Sequence, residues 1–373
     1  MEQPRQRIEL KGGAIDNFLK GFTSEATKES YFKKLRQFLE FVNMEPDQYL
    51  EKVKQDRKFA EHTIIDYAEQ RKKEKVSGST IRQVRDALKH FFEMNDIDDG
   101  INWRKVAKTM PRARKVGSDR APTIEEVRYM LENADLRMKC IILLAASSGI
   151  RLGAIPSLRW GDVEPVMKEG KVVAARIRVY RGEPEEYISF IMPECYEVLQ
   201  DYMKRRQEIG ELIRPDSPLI RDAWDSNTYR RQRKDPTIAM PLSAKAIANE
   251  MGLFLKKIGL RKAGSYEFKQ VHGFRKFFKT NAERAMKTID VEKLMGHAEN
   301  YYKPPVDYLL DEYLKAVPHL TISEAEYLKN EMEKRIAASD MKIGELEREG
   351  LALQQKLEKI EKEYEELKRL LMN

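Results

Sequence analysis

Two arginines, two histidines and a tyrosine occur along half of this chain in an order that suits one chemistry. Arg151 sits in S-S-G-I-R-L-G, His272 and Arg275 in V-H-G-F-R-K-F-F, and His297 in L-M-G-H, with Tyr301 and Tyr302 close behind. Guanidinium groups are permanently charged and hold the non-bridging oxygens of a phosphodiester in a fork. Imidazoles donate hydrogen bonds or shuttle protons near neutral pH. A phenol attacks as phenolate, so neighbouring cations must favour ionisation of a group whose ordinary pKa is about 10. The set suits a site that grips one phosphodiester and attacks it with a tyrosine. Singly, each residue has a structural explanation: an ion-paired surface arginine, a helix-capping histidine beside its glycine, a packing aromatic. The order of the motifs, and the fact that two of only five histidines fall in them, favour the functional explanation.

The elements that must position these residues are mostly helical. From Ile15 to about Thr109 the pattern is helical throughout, with Tyr31, Leu35, Phe38, Leu39 and Val42 at helical spacing after Thr23 and Ser24, both N-cap residue types. A third helix there starts near Ser79 or Thr80 and turns Ile81, Val84 and Leu88 inward. Arg82, Arg85 and Lys89 stay outside, as a solvated face or a DNA-facing one. The stretch M-P-R-A-R-K-V-G-S-D-R-A-P reads as a basic linker, in which Arg112, Arg114 and Lys115 suit a phosphate backbone. T-I-E-E-V-R-Y-M-L then opens a second domain with a capping box, followed by a buried helix from about Leu136 to Ser147. K-V-V-A-A-R-I-R-V-Y and Y-I-S-F-I-M flank the turn residues R-G-E-P-E-E and form a β-hairpin. Helices resume at about Glu194, interrupted by a polar, basic loop from Asp222 to Pro236. Beyond Thr321 the composition turns acidic. Ile336, Ile343, Leu346, Leu353, Leu357, Ile360, Tyr364, Leu367 and Leu371 follow heptad steps, weakened by Ser339 and Gly350. This is a coiled-coil helix or, alternatively, an amphipathic helix folded back on the body.

Length and charge agree with that division. The chain has 373 residues, enough for two or three domains, and a net charge of +8. A modest basic excess favours a polyanionic partner without identifying it. Cys140 and Cys195 are expected to be buried free thiols, which leaves no disulfide framework or zinc site. The polar start and the short apolar runs lead to the expectation of a soluble intracellular, nucleoid-associated protein with no membrane partner.

Over residues 15 to 315 the chain resembles the tyrosine recombinases, the phage-integrase family. Three blocks carry the likeness: S-S-G-I-R-L-G-A-I-P-S-L-R-W-G-D-V, H-G-F-R-K-F-F, and L-M-G-H-A-E-N-Y-Y-K-P, whose Y-Y-K-P end resembles archaeal integrases. The resemblance implies a mainly α fold: a helical core-binding domain at 13–110 and an α-rich catalytic domain at 123–320 with a small antiparallel sheet. A flexible tail at 1–12, the linker at 111–122 and a coiled-coil helix at 321–373 complete the organisation. It implies a site-specific recombinase that acts as a tetramer on two DNA duplexes. Strands would be cut and rejoined through a 3′-phosphotyrosyl link, with no cofactor or metal. Arg151 and Arg275 would grip the phosphate, His272 would assist proton transfer, His297 would bond a phosphate oxygen, and Tyr302 would attack.

Three departures stand out. The hairpin turn carries Arg181 where the family usually has a lysine; Arg181 is a poor acid but a candidate DNA contact in the same phosphate region, and Lys171 or another lysine is left as a substitute acid. The tyrosine follows His297 unusually soon, leaving Tyr301, Tyr308 and Tyr313 as further candidates. Ala154 stands where an acidic residue is common. The departures keep two other functions open: an architectural or regulatory DNA-binding protein with a degenerate site, and a type IB topoisomerase-like relaxing activity.

Overall fold

The computed structural model describes residues 8–112, 120–222, 239–261, 270–297, 301–323, 332, 336, 339 and 341–357. The chain divides into two compact units, Met1–Val116 and Gly117–Asn373. Of the residues proposed above, Arg114, Lys115, nearly all of the basic loop after Asp222, and the seam beyond Leu357 lie outside the described residues.

The first unit is built from six helices: α1 (Gly13–Phe18), α2 (Glu25–Val42), α3 (Pro46–Gln55), α4 (Arg57–Lys73), α5 (Gly78–Glu93) and α6 (Trp103–Thr109). The hydroxyl of Ser24 caps α2 by accepting the Thr27 N–H. The cap of α5 is Ser77, two residues before the position expected from sequence, because its side chain reaches the Thr80 N–H at 3.1 Å. An aromatic-rich core, including Phe18, Phe38, Tyr49, Phe91 and Phe92, is fully buried at the centre. The predicted stripe Ile81, Val84 and Leu88 faces it.

The second unit begins at α7 (Ile124–Asn133), with the expected capping box between Thr123 and Glu126. Arg120 clamps the same Glu126 carboxylate with two bonds, of 2.7 and 2.6 Å. Helix α8 (Leu136–Ser148) is capped by Asp135 and buried along nearly its whole length. Three strands follow, β1 (Val163–Lys168), β2 (Lys171–Val179) and β3 (Tyr187–Ile191), paired antiparallel in that order. The hairpin read from sequence is β2–β3, in register from Ala175↔Ile191 to Val179↔Tyr187. Sequence reasoning missed β1. It holds Pro165, is half-exposed, and sits at the sheet edge, where a proline's missing N–H costs nothing.

Among the described residues the helices that follow the sheet are α9 (Pro193–Glu208), α10 (Ala244–Lys257), α11 (Gln270–Ala282), α12 (Thr288–Leu294) and α13 (Val306–Leu320). Helix α11 packs on α8, and α8, α12 and α13 all border β3. Phe190, Phe274, Phe277, Phe278 and Tyr313 lie at the heart of this core. Cys140 and Cys195 are buried and free. Among the described residues the fold is mainly helical with one small antiparallel sheet, as expected from sequence. No described helix is long and apolar enough to cross a membrane.

Residues 341–357 are helical, and Ile343, Leu346, Leu353 and Leu357 are each more than half exposed. The apolar side chains of this described part of the seam lie outside the core.

Candidate active site

Two helix ends shape the site. Helix α8 stops at Gly149 and α12 runs out at Gly296, and both glycines adopt left-handed backbone, with φ of 59° and 72°. At the end of α12 the His297 N–H bonds back to Glu292 O at 2.9 Å, the turn that such a glycine permits. Side chains are excluded at both points. A Cβ on Gly149 would come within 2.5 Å of the Phe278 ring, and one on Gly296 within 2.4 Å of the Tyr187 ring. Helix C-termini present carbonyl oxygens with partial negative charge, and here they hold the two arginines. Arg275 donates to Gly149 O and, at 2.9 Å, to Met295 O. Arg151 donates to Gly296 O at 3.0 Å.

Neither arginine pairs with a described carboxylate. Arg275 is buried, and burial first, then the Arg151 charge, pushes its pKa down. Two guanidiniums held by carbonyls, with no described carboxylate against them, form a site suited to an anion. The third member is His297. A guanidinium can only donate, so the 2.9 Å contact from Arg275 Nη2 makes His297 Nε2 the acceptor. The ring is then neutral, with its proton on Nδ1. Partial burial, followed by the Arg275 and Arg151 charges, pushes its pKa below 6.5.

That shift has a sign. Because the folded protein resists protonating His297, its contribution to stability is complete above pH 6.5 and falls as the pH drops through the folded pKa. NMR of the imidazole in the DNA-free protein should give a midpoint below 6.5, and Arg151→Ala should move it up. A midpoint at or above 6.5 would contradict the neutral imidazole. The glycine ends provide a second expectation. Gly296→Ala should lower Tm, because left-handed backbone costs an alanine about 1–2 kcal/mol before the Tyr187 contact is counted. It should also displace His297, which the same NMR signal would report.

Two adjoining clefts open onto these groups. One, of about 760 Å³, is lined by Arg151, His297, Lys293, Tyr180, Tyr187 and the turn residues Glu183–Glu186. The other, of about 610 Å³, is lined by Arg151, His272, Arg275 and His297, among others. The four residues Arg151, His272, Arg275 and His297 therefore meet in one place. The candidate nucleophile does not join them. The Tyr302 hydroxyl donates to the fully buried Asp290 carboxylate, whose other oxygen accepts from Tyr308 at 3.2 Å. The hydrogen bond to Asp290, then burial and the Asp290 charge, pushes the Tyr302 pKa well above 10, against ionisation. Asp290 stands seven residues before His297 along α12 and its end, about 10 Å at the helical rise. Tyr301 is fully exposed. Tyr313 is locked in the core, its hydroxyl donating to Ser147 O at 2.8 Å.

The other candidates are placed as follows. Arg181 turns away from the clefts toward Asp162, at 3.5 Å, and lines a separate hollow with Arg159. Lys171 begins β2 at the end opposite the turn, nine residues or about 30 Å away, so it is no substitute for a turn lysine. On α5, Arg82 donates to Pro111 O at 3.1 Å, Arg85 pairs with Asp86, and Lys89 lies 3.4 Å from Glu93. Arg112 is exposed. Sequence reasoning missed Asp290, Lys293, Tyr180 and Tyr187. The last two flank the hairpin turn, a signal that was available.

No protein-family model matches the chain, and no curated protein matches it. Solved structures do match in fold. A crystal structure of a lambda integrase dimer bound to a COC′ core site aligns with a TM-score of 0.51 at 15% identity, over 79% of this chain and 90% of that one. Looser likenesses include the XerA recombinase, with a TM-score of 0.36 at 20% identity, covering 86% of this chain and 97% of that one. A third is the Tn1549 transposon integrase in complex with transposon right end DNA, with a TM-score of 0.43 at 17% identity, covering 83% and 98%.

Proposed function

We propose that the protein is a site-specific DNA recombinase that cuts and rejoins strands through a covalent phosphotyrosyl intermediate. The observation that carries this is the convergence of Arg151 and Arg275 with His297, held by carbonyls and without a described carboxylate partner. In this proposal the two guanidiniums hold the non-bridging oxygens of the scissile phosphate and neutralise the charge that builds up during transfer. The His297 Nδ1–H bonds one of those oxygens. Tyr302 leaves Asp290, gives its proton to His272 and attacks phosphorus. The chain from His297 to Tyr302 spans up to about 17 Å when extended, enough to cover the separation. The 3′-phosphotyrosyl bond conserves energy for rejoining, so the chemistry calls for neither ATP nor a metal.

In the same proposal the first unit, with Arg82, Arg85, Lys89 and Arg112, grips duplex DNA, joined by the basic linker holding Arg114 and Lys115. Arg85 and Lys89 have weak surface pairs that phosphates can replace at little cost. Affinity with archaeal integrases rests on Y-Y-K-P alone. The exposed seam on 341–357 supports self-association, in keeping with a tetramer on two duplexes. Deleting 324–373 should lower the oligomer mass seen by light scattering, and an unchanged mass would remove that role.

One observation favours a second reading, a DNA-binding protein without strand cleavage: Tyr302 is bound to a carboxylate rather than poised at the arginines. Covalent trapping separates the two. The protein would be incubated with a library of nicked duplexes of random sequence and tested for DNA that resists denaturation. The recombinase reading expects an adduct, lost in Tyr302→Phe and retained in Tyr301→Phe. Bound duplex without any adduct would favour the second reading.

A further inference from the structure

Cleavage of a phosphodiester releases an alkoxide, and something must protonate it. The turn where the resemblance places a lysine has none, Arg181 points to Asp162, and Lys171 lies at the wrong end of β2. Yet the cleft beside Arg151 and His297 does contain a donor without an acceptor. The hydroxyl of Tyr187, at the first position of β3, is buried and makes no hydrogen bond of good geometry. Its ring is wedged against Gly296, the residue whose carbonyl holds Arg151. Arg275, which also holds Gly149, Met295 and His297, approaches the phenol oxygen, and a guanidinium can only donate, so the phenolic proton still has no acceptor. Leaving a buried donor unsatisfied is costly, and such groups collect where function retains them.

We infer that Tyr187 is the general acid of this site, donating its phenolic proton to the 5′-oxygen as the strand is cut. The inference rests on the recombinase reading. In the step, the Tyr302 oxygen bonds to phosphorus and the bond from phosphorus to the 5′-oxygen breaks. The electron pair stays on that oxygen, which takes the Tyr187 proton. The resulting phenolate lies within the field of Arg275 and Arg151 until the incoming 5′-hydroxyl returns a proton during rejoining. Burial holds the phenol at about 12, so it is fully protonated at neutral pH yet far more acidic than the alkoxide it serves. Tyr180, in the same cleft, is half-exposed. Lys293, the one lysine among the described residues lining the two clefts, is half-buried on α12.

The test uses the full chain and the DNA sequence that wild type itself attaches to in the random library. That sequence would be synthesised with either oxygen or sulfur bridging phosphorus and the 5′-carbon. A thiolate leaves without a proton. Tyr187→Phe should slow adduct formation on the oxygen substrate by about 10²–10⁴-fold and return to within about tenfold of wild type on the sulfur one. Lys293→Met should lose no more on the oxygen substrate than on the sulfur one. Tyr187→Phe should also keep its Tm or raise it by up to about 3 °C, since it removes an unsatisfied hydroxyl. The inference fails if Tyr187→Phe cleaves the oxygen substrate normally, loses both substrates equally, or lowers Tm. It also fails if sulfur rescues Lys293→Met instead. Absence of any wild-type adduct, on either substrate, would overturn the recombinase reading itself and Tyr187's role with it.

Discussion

Arg151→Ala is expected to abolish covalent attachment to DNA, by at least about 10²–10³-fold, and to leave the fold intact. The guanidinium is exposed and gives one hydrogen bond, to Gly296 O, a carbonyl at the protein surface. Removing it also relieves repulsion with Arg275, so Tm should hold or rise. Arg275→Ala should lose the same activity for the same reason but behave differently on heating. It strips donors from Gly149 O, Met295 O and His297 Nε2 at a buried position. Each buried acceptor left without a partner costs about 1–3 kcal/mol. The contrast separates anion binding, which both variants lose, from packing, which only Arg275→Ala loses. Thermal melts run beside single-turnover cleavage would read both. An Arg151→Ala protein that still formed adduct at the wild-type rate would remove the phosphate grip from the proposal.

Asp290→Asn is expected to speed adduct formation. In the DNA-free chain, Tyr302 spends its proton on Asp290, and that bond is the main reason its phenol resists ionisation. A hydrogen bond to a charged acceptor is worth about 1.5–3 kcal/mol, so weakening it should raise the population of released Tyr302 by roughly 10–100-fold. The phenol pKa should move back toward 10. The cost is stability, since Asp290 is fully buried and also accepts from Tyr308. A single-turnover rate that rises while Tm falls fits a resting latch. A rate that collapses with the fold intact would instead make Asp290 the base that takes the Tyr302 proton.

Legibility from sequence followed the range of the interactions. Helices α2, α5, α7 and α8 announced themselves through local periodicity and caps, and β2–β3 through alternation around a turn. Strand β1 did not, because an edge strand with a proline and half-exposed side chains lacks that alternation. Arg151, His272, Arg275 and His297 were legible because they sit in three short motifs. Their support was partly hidden: the glycines were visible, but nothing local says that Gly149 and Gly296 carbonyls hold arginines 126 and 145 residues away. The same holds for Asp290, an unremarkable residue in T-I-D-V-E-K-L until the fold sets Tyr302 and Tyr308 on its two oxygens. Arg181 is the opposite case. Its position in the turn singled it out, and a single ion pair with Asp162 takes it elsewhere.

The most direct test of the central claim is to trap wild-type protein on the nicked-duplex library, digest the adduct and locate the nucleotide by mass spectrometry. A phosphodiester on the Tyr302 oxygen, linked to a DNA 3′ end, is the expected result. An adduct on any other residue, or bound duplex with no adduct at all, would contradict it.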